Sequence, residues 1–152
     1  VSENAGLTTL SFYSFGITTD MLNWIRKLVT SGWDAKDRLT VQLWPSANDF
    51  KGAFHLIWKA GTMPHVDEVG GSNITMDANT ALWEEQTQVI MIHEFGHVMG
   101  FRDCYVEFWD GDEADGGAFV NYALDATDRM CALSGVSKAH HTVALKAGYP
   151  AR

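Results

Sequence analysis

The stretch Val89-Ile90-Met91-Ile92-His93-Glu94-Phe95-Gly96-His97-Val98-Met99 constrains this chain more than any other. Read as a helix, it is apolar nearly all round, so it belongs in a core, yet it carries two histidines and a glutamate. Residues four apart lie one above the other on a helix, which places His93 and His97 on one edge and Glu94 one step round from His93. Met91, Ile92, Phe95, Val98 and Met99 take the other side. Polar groups carried into a core have to be paired. Two imidazoles on one edge are paired at once by a tetrahedral cation, and the spacing suits Zn2+.

Such an ion needs a third protein ligand and an open fourth position for chemistry. Gly100 can adopt the left-handed backbone that ends a helix and turns the chain back. Asp103, six residues after His97, then sits where a carboxylate closes the site. Glu94 can reach a water there without being a ligand, as the general base of a metal-assisted hydrolysis. Other readings stand beside this one. Asp103 can be a solvated carboxylate or a partner of Arg102 or Arg129, and Glu107 or Glu113 can be the third ligand, as in gluzincins. The site can also hold zinc for binding or structure without peptidase activity.

The whole pattern, HExxHxxGxxD over 93–103, resembles the long zinc motif of the metzincins, and its Asp-ended form is similar to that of the snapalysin type. The resemblance implies a zinc-dependent endopeptidase with one catalytic Zn2+ on His93, His97 and Asp103, Glu94 as base and an extended polypeptide as substrate. It implies an α+β fold: a small twisted mixed sheet, an active-site helix, an irregular C-terminal subdomain and a C-terminal helix. Met130 matches the Met-turn beneath the zinc in placement, and the edge strand that pairs with substrate matches 64–71. Some metzincins carry a Tyr two residues after that Met; here Ala132 stands there, so that role is absent or falls to another residue such as Tyr122. Cys104 follows the third ligand and Cys131 follows Met130, so the two segments that meet at the metal bring the thiols together as a disulfide. A disulfide favours a secreted or otherwise extracytoplasmic setting.

The 152 residues suit one catalytic domain, 1–152, with subdomains 1–100 and 101–152. Nineteen acidic side chains against 11 Lys and Arg give a formal net charge of -8, which argues against nucleic acid and anionic membranes as partners; a monomer is expected. The patterning predicts a strand over 7–15, a helix capped at 18–20 and closed by Gly32, and a strand over 39–44. It predicts a helix over 48–59, short strands at 64–69 and 72–77, and a long helix capped at Asn79 or Thr80 and running to Gly100. Residues 101–130 read as irregular, and 137–149 as a closing helix capped at Ser134 or Ser137. Asp110, Asp112, Glu113 and Asp115 offer hard oxygens to Ca2+ in a Gly-rich loop, but not at EF-hand spacing, and a solvated acidic loop is the simpler reading. His55, His65, His140 and His141 read as surface or packing residues.

Overall fold

The computed structural model describes residues 2–4, 7–14, 17–33, 39–44, 54–111 and 117–146. The elements in order are β1 (Ser2–Asn4), β2 (Leu7–Tyr13), α1 (Thr19–Gly32), β3 (Leu39–Trp44), β4 (Phe54–Lys59), β5 (His65–Val66), β6 (Asn73–Asp77), α2 (Glu85–Val98), β7 (Tyr105–Asp110), β8 (Ala118–Ala123) and α3 (Ala139–Lys146). This is the expected α+β architecture. None of the described helices is long and apolar enough to cross a membrane.

The sheet is mixed. β2 pairs in parallel with β3 on one side and with β4 on the other, and β4 pairs in parallel with β6. Antiparallel pieces finish it: β1 against the start of β2, and β5 against β6. Period-2 side-chain alternation puts Leu10 and Phe12 of β2 and Phe54 and Leu56 of β4 into the core. The Phe12 ring lies 5.2 Å from that of Phe54 and 4.7 Å from that of Phe95, tying two strands to α2. Across the core, the Trp33 indole at the end of α1 donates to the Ile92 carbonyl at 2.9 Å, so α1 and α2 are fixed to each other by a buried hydrogen bond.

Four expectations are corrected. The segment 54–59 is a strand, not part of a helix; Phe54 and Ile57 fit a helical period, but pairing with β6 imposes alternation, with Phe54 and Leu56 inward and His55 and Ile57 outward. Residues 48–53 lie outside the described residues. The long helix starts at Glu85 with no side-chain cap, because Asp77 uses the preceding residues for turns: its carboxylate accepts from the N–H groups of Gly61 and Asn79 at 2.8 and 2.9 Å. Residues 101–130 are not irregular throughout, since β7 and β8 form an antiparallel hairpin from Tyr105↔Ala123 to Asp110↔Ala118. The closing helix, described over Ala139–Lys146, has no Ser134 or Ser137 cap; the Lys138 N–H just before it donates to His141 Nδ1 at 3.0 Å. The strand expected over 64–69 is shorter, His65–Val66, while Thr18 caps α1 by accepting from the Met21 N–H, and Gly100, at φ 87°, follows the end of α2.

The second half is tied to itself by a disulfide and fastened to α2 by Met130. The Cys104–Cys131 disulfide joins the segment after α2 to the segment after Met130, with Cα atoms 4.4 Å apart, and the Cys104 N–H donates to the Met130 carbonyl at 3.0 Å. Met130, 1% exposed, packs onto α2 at Gly96, where a Cβ would lie 2.5 Å from the Trp33 ring and 2.6 Å from the Met130 sulfur.

Gly96→Ala tests this packing. Helix propensity favours Ala by about 1 kcal/mol, while overpacking costs about 1–3 kcal/mol. The rigid, hydrogen-bonded Trp33 ring makes the second effect win, so the variant is less stable in urea, and a gain in stability would show that the neighbours give way. Replacing both cysteines with Ala opens a loop spanning 27 positions. That costs about 3.5 kcal/mol on the chain-entropy model, seen as a lower urea midpoint. An unmoved midpoint would mean that the loop is held by other contacts.

Candidate active site

His93, Glu94 and His97 are all buried on α2, at 5%, 7% and 8% exposure. The two imidazole rings stand nearly perpendicular, with centroids 4.8 Å apart. Each ring is pinned from behind: His93 Nδ1 lies 3.0 Å from the Arg129 carbonyl oxygen and His97 Nδ1 lies 2.9 Å from the Phe101 carbonyl oxygen. A carbonyl only accepts, so each Nδ1 carries the proton, and in the neutral ring Nε2 presents a lone pair. Both lone pairs meet the same atom, Asp103 Oδ1, at 2.9 Å from His93 and 3.3 Å from His97.

Three electron-rich atoms facing one another at such distances repel unless positive charge lies among them. A tetrahedral zinc with bonds of about 2.0–2.1 Å has ligand atoms about 3.3 Å apart, so the donor set fits this ion in type, tautomer and spacing. A proton on Nε2 is the other way to supply that positive charge. Burial works against a charge on His97, yet the Asp103 hydrogen bond, the Phe101 carbonyl and the charges of Asp103 and Glu94 raise its pKa. Burial also works to raise the Asp103 carboxyl, but His93 and His97 hold it well below the usual carboxylate range.

The turn that delivers Asp103 is short. The Gly100 N–H donates to the His97 carbonyl at 2.9 Å and the Phe101 N–H to the Gly96 carbonyl at 3.0 Å, closing α2 and reversing the chain. Glu94 stands beside the imidazoles. Burial pushes its carboxyl up, partly offset by His97 and His93, and its Oε2 is buried with no hydrogen-bond partner. An orphaned buried oxygen of this kind is expected where a water or a reacting group completes the site.

A cavity of about 610 Å3 opens beside His93 and Glu94, between Met63 and Pro64 ahead of β5, Ile90 of α2, the β7–β8 hairpin and residues 131–134. Tyr105, the first residue of β7, lines it, and its ring centroid lies 6.5 Å from that of His93. Burial and the nearby carboxylates of Asp103, Glu107 and Glu94 push its hydroxyl up to about 12, so it stays protonated as a donor. Sequence reasoning named Tyr122 instead, which is 64% exposed on β8. The signal for Tyr105 was its place two residues after Asp103. Glu107 also lines the cavity, accepting from Asn121 Nδ2 at 3.2 Å, but no described contact joins it to the His93 and His97 Nε2 atoms. Glu113, Asp112 and Asp115 lie outside the described residues.

A second cluster joins Asp128, His140 and His141. His141 Nδ1 accepts the Lys138 N–H at 3.0 Å, so its Nε2 carries the proton and has no lone pair for a metal. His55 and His65 bond Asn73 and the Met63 carbonyl at 3.0 and 2.7 Å.

No family model matches the chain, and no curated protein matches it. Among solved structures, high choriolytic enzyme 1 (HCE-1), a hatching enzyme zinc-protease from Oryzias latipes (medaka fish), aligns with a TM-score of 0.42 and 13% identity over 68% of this chain and 48% of its own. Myroilysin aligns over 95% of this chain and 94% of its own, with a TM-score of 0.59 and 12% identity. At that identity the likeness speaks for the fold alone: the chain shares the overall α+β fold of myroilysin.

Proposed function

We propose that the protein is a zinc-dependent endopeptidase. The observation that carries this reading is the meeting of the His93 and His97 Nε2 atoms, each tautomer fixed by a backbone carbonyl, with one oxygen of Asp103. His93, His97 and Asp103 would hold the ion. Zinc in such a site supplies Lewis acidity, polarising a scissile carbonyl and making water more acidic. Glu94 takes the proton of the attacking water and returns it to the leaving amine. Burial suits it to this exchange, because a base with a raised pKa releases the proton less readily than an ordinary carboxylate and so can carry it between the two steps. Tyr105 keeps its proton and can donate to the carbonyl oxygen as negative charge grows there.

The surroundings fit a polypeptide substrate. β5 lies at the end of the strand order, and an extended peptide can add to a sheet edge through main-chain hydrogen bonds. The disulfide is consistent with an oxidising, extracytoplasmic setting. A zinc-binding domain without activity has no need of Glu94, whose buried, unpartnered oxygen beside the imidazoles supports the hydrolytic reading.

Glu94→Gln keeps the volume and the charge-free form of the side chain but removes the base. Zinc content stays at one ion per chain while hydrolysis of a quenched fluorescent peptide falls about 10²–10⁴-fold; undiminished turnover would sink the mechanism. For the third ligand, Asp103→Ala loses zinc affinity by more than the roughly 10–100-fold that follows loss of a partner outside the ligand sphere. Competition with a chromogenic chelator measures this, and affinity equal to the parent's would remove Asp103 from the ligand set.

A further inference from the structure

The cavity beside the histidines has an uneven lining. Met63, Ile90, Ala132 and Leu133 give it apolar walls, and Glu94 and His93 make it continuous with the reacting centre. On the hairpin side stands Glu107. Glu107 is not needed to complete the donor set, which Asp103 already closes. Its carboxylate is oriented by Asn121, the residue directly opposite it in the β7–β8 register, whose Nδ2 donates to it at 3.2 Å. An amide donor holds a carboxylate in place but does not neutralise it. The described ion pairs include no Lys or Arg partner for Glu107, and the described lining of the cavity contains no Lys or Arg.

We propose that Glu107 is a specificity-determining residue, and that the cavity takes a Lys or Arg side chain of the peptide next to the bond being cut. The inference rests on the peptidase reading of the site. An aliphatic or aromatic side chain would fill the walls but leave the carboxylate, exposed on β7 and held by Asn121, without a counter-charge. An acidic side chain would meet both Glu107 and Glu94. A Lys or Arg side chain satisfies both parts of the lining: its methylene stem packs on Met63, Ile90 and Leu133, and its charged head reaches the carboxylate. A cavity of about 610 Å3 is roomy enough for the longer of the two.

The test uses the zinc-loaded protein and two sets of peptides that differ at one residue, Arg against norleucine, placed on either side of the scissile bond. On the favoured side, kcat/KM for Arg exceeds that for norleucine tenfold or more, the scale of a charge-assisted hydrogen bond. In Glu107→Gln the ratio falls to about one, and in Glu107→Lys a Glu peptide overtakes the Arg peptide. Calorimetric binding of the same peptides to zinc-loaded Glu94→Gln, in which turnover is slowed about 10²–10⁴-fold, gives the same Arg preference. Cleavage with no Arg preference, or a preference that survives Glu107→Gln, overturns the role of Glu107 and leaves the peptidase reading intact. Binding with Arg preference but no cleavage by the parent protein overturns the peptidase reading and keeps the recognition.

Discussion

Two protons on two histidine Nδ1 atoms organise this molecule. Each is given to a backbone carbonyl, of Arg129 and of Phe101, and neither carbonyl belongs to α2. A helix can place two imidazoles on one edge by its own geometry, but it cannot choose their tautomer. The choice is made by chain that comes later, and it exposes two Nε2 lone pairs on the side where Asp103 arrives. The second half of the protein therefore has a task that no element of the sheet can do. It must bring a carbonyl behind His93, turn sharply enough after His97 to bring another behind that ring, and return a carboxylate in front of both.

That task explains how the second half is tied down. The hairpin presents Val106, Phe108, Trp109 and Tyr122 to solvent, all more than 45% exposed, so burial alone cannot fix it. Covalent and backbone links act near the turn that carries Asp103 instead. Cys104 bonds Cys131, donates its N–H to Met130 and accepts from the Leu124 N–H at 2.9 Å, so one residue beside Asp103 is joined to two segments, 130–131 and the end of the hairpin. Gly96 allows Met130 to sit against α2 between the two histidines in sequence, and the Arg129 carbonyl behind His93 is the neighbour of that Met.

The edge shared by His93, Glu94 and His97 was more legible in the sequence than the strands around it. The spacing of His93, Glu94 and His97 needs only the helical period to become a shared edge, and Gly100 marks the turn by a backbone conformation that few other residues adopt. What failed depended on distant partners. Residues 54–59 carry apolar side chains at both two- and three-residue spacings, and only β2 and β6 on either side select the strand. The hairpin strands are rich in Val, Phe, Trp and Tyr, but the acidic, Gly-rich stretch between them dominated the local composition. Asn79 and Thr80 are good caps in isolation, yet Asp77 draws that segment into turns several residues before the helix begins. Tyr105 reaches the cavity because it opens β7 two residues after Asp103, a placement that no offset from Met130 indicates.

His141 shows how far local rules reach once their chemistry is kept and the residue type is relaxed. It accepts the N–H just ahead of its own helix, a role usually filled three residues into a helix by Glu or Gln. A neutral imidazole with its proton on Nε2 has the same acceptor to offer. Burial, with the positive charge of Arg129 and Lys138, pushes its pKa down to about 4 although Asp128 works the other way, so the ring remains neutral and able to accept. It packs edge-on to Trp33 with centroids 5.1 Å apart and against Phe101 at 4.6 Å, the residue whose carbonyl pins His97. Its Nε2 faces Asp128, 3.6 Å away, and Asp128 in turn accepts the Met130 N–H at 2.8 Å. The start of α3, the end of α1 and the turn under the two histidines are thus joined through one side chain. Glu at position 141 could keep the cap, but it would bring a second carboxylate against buried Asp128 and lose the ring that fills the space between Trp33 and Phe101.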